Sequence, residues 1–135
     1  MARKRVLFTT VHALLDQLVA ATVDRSLGSR LEMLSRLDLV IADELGYMPV
    51  DTQRANLFFQ FVSCRYEKGS IILTTNKAFD QWGQVFGDDV IASAILDRLL
   101  HHSHIIAING PSYRLKDKLD RAAQAVGAAA RRESA

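Results

Sequence analysis

The sequence predicts an α/β domain built on a mostly parallel sheet flanked by helices. Three observations carry that prediction. Short runs of branched and aromatic residues alternate with segments of helical periodicity. The run that ends at Asp43 is apolar with hardly any alternation, as in strands covered on both faces. Two of the runs turn polar at their carboxyl tips, Asp43–Glu44 and Thr74–Asn76, and ligands of open parallel sheets gather at such tips.

The elements follow in order. Arg5 to Thr10 (RVLFTT) reads as a first strand, and Thr10 can cap a helix carrying Leu14, Leu15, Leu18 and Val19. A polar stretch around Gly28 and a short helical segment (Leu31, Leu34, Leu37) lead into the second strand, LDLVIAD. GYMPVD is a loop by its glycine and proline. Asp51 can cap a helix with Leu57, Phe58, Phe61 and Val62 on one stripe, closed by Gly69. SIILTTN (Ser70 to Asn76) is the third strand. Phe79, Trp82, Val85 and Phe86 fit a short helix whose aromatic residues belong in a core, and Asp88 or Asp89 can cap a longer one through Ile91, Ala94, Ile95 and Leu99. HIIAI (His104 to Ile108) is expected as a fourth strand. From Leu115 the chain is alanine-rich and basic without an apolar stripe, so residues 1–114 are expected to form the core and 115–135 a tail or fraying helix.

Composition excludes several classes. With 135 residues and 49% hydrophobic content the chain can bury one real core. A net charge of +2, from 17 basic and 15 acidic residues, permits a nucleic-acid partner without demanding one. One cysteine, Cys64, cannot build a disulfide framework; it sits mid-helix and reads as a small buried hydrophobe. No run approaches the roughly 18 apolar residues of a membrane span, and the apolar stretch after the basic start is too short for an export signal. A cytoplasmic protein with no membrane partner is expected.

Leu39, Val40, Ile41 and Ala42 followed by Asp43 and Glu44 at a strand end is the pattern of a Walker B motif. In that role Asp43 would hold a hydrated Mg²⁺ bridging nucleotide phosphates, and Glu44 would orient and deprotonate the attacking water. The alternative is an ordinary loop start in which Asp43 bonds local N–H groups. Asn76 would lie beside Asp43 if their strands are neighbours, where an amide can hold the attacking water or the γ-phosphate, as sensor 1 does in AAA+ ATPases; as a turn residue it needs no such role. Arg98 shares a helical face with Ile91, Ala94 and Ile95, which suits an arginine finger reaching a neighbouring subunit's phosphate, a salt bridge to Asp97 or Asp89, or a snorkelling side chain.

Longer stretches add a resemblance. DELGYMPVD, NLFFQFVSCRYEKGSIILTTN, WGQVFGDDVIASAILDRLLHHSHII and GPSYRLK resemble the IstB-like transposition helper ATPases, relatives of the DnaC helicase loaders within the AAA+ superfamily. The likeness runs from about Arg5 to Lys116. It implies a partial AAA+ P-loop NTPase-type sheet with Asp43 and Glu44 as Walker B, Asn76 as sensor 1, Arg98 as the finger-type arginine, and Arg114 as a further phosphate- or subunit-contacting arginine. It also implies ATP and Mg²⁺ as cofactors, and DNA, a transposase and further copies of the chain as partners: such helpers assemble on DNA, bend it and recruit the transposase.

The chain departs from that family in one respect. No G-x-x-x-x-G-K-[ST] occurs in it, and none of Lys4, Lys68, Lys77, Lys116 or Lys118 follows a glycine. Without that backbone cradle and lysine, nucleotide affinity is expected to be very weak and the chain inactive alone. In the family the loop's strand lies between those that are third and fourth here, so its absence predicts a gap with exposed apolar edges. A catalytically inactive interaction remnant and a fragment of a DnaC-like helicase loader are the rival readings.

The remaining polar features read as structural. His101, His102 and His104 have no acidic or thiol ligand near them in sequence and suit a helix end. Arg114, Lys116, Lys118 and Arg121 are interleaved with Asp117 and Asp120, as on a solvated helix face that can also touch phosphate.

Overall fold

Three parallel strands, β1 (Val6–Thr10), β2 (Leu39–Leu45) and β3 (Ser70–Thr75), pair in the order β1-β2-β3 in a computed structural model that describes residues 3–110 and 113–133. Parallel neighbours cannot be joined by a tight turn, so each connection is helical. The first carries α1 (Val11–Val23) and α2 (Leu27–Ser35), the second α3 (Thr52–Arg65). After β3 come a 3-10 turn (Phe79–Gln81), α4 (Trp82–Phe86) and α5 (Asp89–Leu100).

The helix starts are those the sequence marks. Thr10 accepts from the Ala13 N–H at 3.1 Å, Asp51 from that of Arg54 at 2.8 Å, and Asp88 from those of Val90 and Ile91 at 2.7 and 3.2 Å. The Arg54 N–H is also the main reason the Asp51 carboxyl is held below the ordinary carboxylate range.

The core lies on one face of the sheet. Leu14, Leu15 and Leu18 of α1, and Phe58, Phe61 and Val62 of α3, cover Val40, Ala42 and Leu45 of β2. Trp82, Phe86 and Ile95 extend the core; Phe58 stacks on Phe86 at 5.6 Å between centroids, and Trp82 meets Phe86 edge-on at 6.0 Å.

The opposite face corrects an expectation. The apolar character of β2 predicts burial on both sides, yet Leu39 and Ile41 are only half-buried. Phe8 and Ile72, register partners of Ile41 on either side, are 65% and 50% exposed. Strand hydrophobicity records what a strand is suited to bury; no element within residues 3–103 covers this face. A contiguous apolar patch on an open parallel sheet favours association. Phe8→Thr with Ile72→Thr keeps strand propensity while removing the patch, and should cut both dye binding to apolar surface and light scattering of the purified chain. Unchanged scattering would mean that this face is not what drives association.

At the end of α3 lies a residue whose place the sequence does not announce. Arg65 is 1% exposed. Its Nη1 donates to the carbonyls of Leu34 (2.6 Å) and Leu37 (2.9 Å), and its Nη2 to that of Ser70 (2.7 Å). One guanidinium thus ties the end of α2 and the approach to β2 to the start of β3. Gly69 is needed for that approach: a Cβ there would stand 2.5 Å from Arg65 Nη2.

The chain divides into two compact units, Met1–Ser103 and His104–Ala135. In the second, Tyr113–Glu133 is a helix, α6, where the sequence predicts a helix or tail. His104–Ile108 is not a strand, contrary to expectation: it pairs with none of the described strands, and Ile105, Ile106 and Ile108 are exposed. Apolar, β-branched residues favour a strand only where a neighbouring edge supplies the ladder. No described helix is long and apolar enough to cross a membrane.

Candidate functional site

The carboxylates at the tip of β2 leave the strand through a β-bulge. Ala42 pairs with Leu73 and Leu45 with Thr75, so Asp43 and Glu44 together oppose the single residue Thr74. Glu44 takes the left-handed conformation at φ 67°, costly for a residue with a Cβ and held only where surroundings enforce it. Thr74 supplies that enforcement. Its Oγ1 accepts the Glu44 backbone N–H at 2.9 Å and donates to Asp43 Oδ1. The bulge sets Asp43 beside the neighbouring strand and leaves the Glu44 side chain exposed to solvent.

Two further contacts fix the same end of the sheet. Thr75 Oγ1 donates to the Leu45 carbonyl at 2.7 Å and accepts the Lys77 N–H at 3.1 Å. Gly46, at φ 89°, is closely approached: a Cβ there would lie 2.7 Å from Lys77 Cγ and 3.4 Å from Asn76 Oδ1. Asn76 therefore stands at the tip of the strand neighbouring that of Asp43 and Glu44. Thr74 is the functional candidate the sequence underrates: a polar strand end is visible, but which of its hydroxyls meets the carboxylates depends on the bulge.

Arg98 lies elsewhere. Its guanidinium carbon sits 4.8 Å over the Phe59 ring and 5.9 Å from that of Tyr66, on the later half of α3 and the residue after it. That region leads into the start of β3, the opposite end of the sheet from the carboxylate tips. The fold thus does not bring Arg98 together with Asp43 and Glu44 of the same chain. Arg114 falls within α6, and its side chain lies outside the described residues.

The site fits a hydrated divalent cation better than a triphosphate. Asp43 and Glu44 offer hard carboxylate oxygens suited to Mg²⁺. Among the described residues the first N–H groups of α1 and α3 are partly taken by Thr10 and Asp51, and Lys77 is the cation that stands beside Gly46 at this end of the sheet. A shallow concavity beside Glu44, bordered by Thr10, Gly46, Tyr47 and Arg54, holds a cation that is already engaged, because Arg54 binds Asp51 at 2.7 Å and Asp16 at 3.1 Å. No glycine-rich loop is present to supply a backbone cradle.

This helix-flanked parallel sheet with a carboxylate pair at a strand tip has the fold of AAA+ proteins. It superposes on AMPPCP-bound DnaA from Aquifex aeolicus with a TM-score of 0.57, at 16% identity over 70% of this chain and 30% of that one. The DnaC helicase loader gives 0.55, at 17% identity over 70% of this chain and 58% of the loader. The family model described as IstB-like ATP binding protein matches residues 2–121, and the chain belongs to that family. It is 50% identical over 117 residues to the protein of insertion sequence IS21 from Pseudomonas aeruginosa that is described as ATP-binding, covering 87% of this chain and 44% of that one. Identity to the corresponding IS232 protein of Bacillus thuringiensis subsp. berliner is 48% over 118 residues, covering 86% of this chain and 47% of the relative. The chain spans less than half the length of these two relatives.

Proposed function

We propose that the chain provides the hydrolysis side of an ATP-dependent helper of DNA transposition. Asp43 is the Walker B carboxylate that holds Mg²⁺ through water, Glu44 the general base, and Asn76 the sensor amide near the γ-phosphate. The observation that carries the reading is Thr74 gripping Asp43 and the Glu44 backbone at a bulge, which holds two carboxylates at a strand tip with Glu44 in a strained left-handed conformation. The position of Arg98, far from its own chain's carboxylates, supports action on a nucleotide held by a neighbouring copy. Arg114 is proposed as a further phosphate- or subunit-contacting arginine. The partners are then ATP with Mg²⁺, DNA, further copies of the chain and a transposase, in the cytoplasm.

The phosphate-binding loop this reading needs must come from residues outside these 135. That requirement sets the test. The chain alone should show no ATP turnover and negligible binding of a fluorescent ATP analogue. A chimera, in which these residues replace the matching segment of the Pseudomonas aeruginosa relative, should bind the analogue and hydrolyse ATP. Turnover by the chain alone, or a folded chimera that binds nucleotide without hydrolysing it, would defeat the assignment. The latter result would favour the second reading, an interaction remnant, to which the open sheet face also points.

A further inference from the structure

The ends of α3 and α5 bring together residues that the ATPase reading leaves unused. Tyr66 and Glu67 follow α3, and His101 and His102 follow α5. Glu67 Oε1 stands 3.9 Å from His101 Nδ1 and 3.6 Å from His102 Nε2, and the three atoms all lie within 4.8 Å of one another. The imidazoles stack at 4.2 Å between centroids, and the Tyr66 hydroxyl is hydrogen-bonded to His101 Nδ1. Glu67 reaches this position from a left-handed backbone, φ 59°, an unfavourable conformation for a residue with a Cβ. The sequence hides the cluster, since the carboxylate is more than thirty residues from either histidine.

We propose that Glu67, His101 and His102 form a surface site for a divalent transition-metal ion of the Zn²⁺ class. Two imidazoles and one carboxylate suit Zn²⁺, Ni²⁺ or Cu²⁺, whereas Mg²⁺ prefers oxygen ligands; the site is therefore chemically distinct from the one at Asp43. Tetrahedral N and O donors at about 2.0–2.1 Å from Zn²⁺ are about 3.3 Å apart. The present separations exceed that by a margin that rotation of three exposed side chains can close. At His101 Nδ1 coordination replaces the hydrogen bond to the Tyr66 hydroxyl and requires the tautomer that carries its proton on Nε2. Three protein ligands leave a coordination position for water. Lys68 and Arg98 lie close by in sequence or space and oppose a cation, so the affinity is moderate. The bound ion would fasten the end of α5, one turn beyond Arg98, to the end of α3, whose aromatic residues carry that guanidinium.

The test is calorimetric titration of ZnCl₂ into untagged, chelator-stripped protein. One Zn²⁺ per chain is expected, with a higher melting midpoint in its presence and no competition from Mg²⁺. Glu67→Gln, His101→Ala and His102→Ala should each weaken binding about tenfold or more, without changing the circular dichroism spectrum. No binding at about a hundredfold excess of Zn²⁺ would overturn the proposal. So would undiminished binding by the triple variant, which would move the ion elsewhere, for instance to His12 and Asp16, 3.4 Å apart. Repeating the titration in the chimera guards against association of the isolated chain. The result does not depend on nucleotide binding or turnover.

Discussion

Arg65→Met should be the most damaging single substitution in the core. The methionine fills most of the volume but donates no hydrogen bond, so the carbonyls of Leu34, Leu37 and Ser70 lose the partner that reaches them at 2.6–2.9 Å. A buried polar group left unpaired costs about 1–3 kcal/mol, and some of these carbonyls will find water once packing loosens. A net loss of about 3–5 kcal/mol follows, against a total stability of about 5–15 kcal/mol for an ordinary domain. The melting midpoint should fall by about 10 °C or more. Burial lowers the proton affinity of Arg65 from its ordinary value, yet the group remains a cation held by carbonyl dipoles. Arg65→Lys keeps the charge but loses the planar fork, so it should fall between the two. Gly69→Ala offers an independent check, because its Cβ would meet the same guanidinium nitrogen. A melting curve for Arg65→Met that overlays the parent's would show that the three carbonyls are satisfied without the arginine.

Arg65 also illustrates what a sequence conceals. Caps at Thr10, Asp51 and Asp88 are legible because donor and acceptor lie within three residues of each other. The carboxylate tip of β2 and the polar tip of β3 are legible for the same reason, since a strand and its end are local patterns. Arg65 sits in CRYEKG, a stretch that reads as an ordinary charged helix end, and its burial depends on carbonyls about thirty residues earlier in the chain. The bulge at Asp43–Glu44 is set by registry with β3, and the cluster at Glu67 by how two helix ends meet; neither leaves a trace in spacing. The expected strand at His104–Ile108 fails on the same ground. Its composition is right, but a strand is a relation between two segments, and no described strand is its partner. Local chemistry is thus read more easily than pairing, and the candidate site has parts of both kinds.

The division between local and paired features predicts how the site fails. In the chimera, Glu44→Gln should lower the rate of ATP hydrolysis by about 10²–10⁴-fold, the range lost when a positioned general base is removed. Nucleotide binding should remain, because the amide keeps the shape of the carboxylate and the phosphates are held by the loop. Asp43→Asn should instead weaken the dependence on Mg²⁺, since a neutral amide is a poorer ligand for that ion. Thr74→Val separates position from chemistry. It leaves both carboxylates in place but removes the hydroxyl that accepts the Glu44 N–H and donates to Asp43. Without that grip Glu44 is free to relax from φ 67° toward ordinary strand geometry, which would turn its carboxylate away from the attacking water. Turnover should drop about 10–100-fold, with Thr74→Ser recovering most of it. If Thr74→Val and Glu44→Gln both leave the rate at the parent value, the bulge is a structural feature of the strand end, and the base must be sought elsewhere.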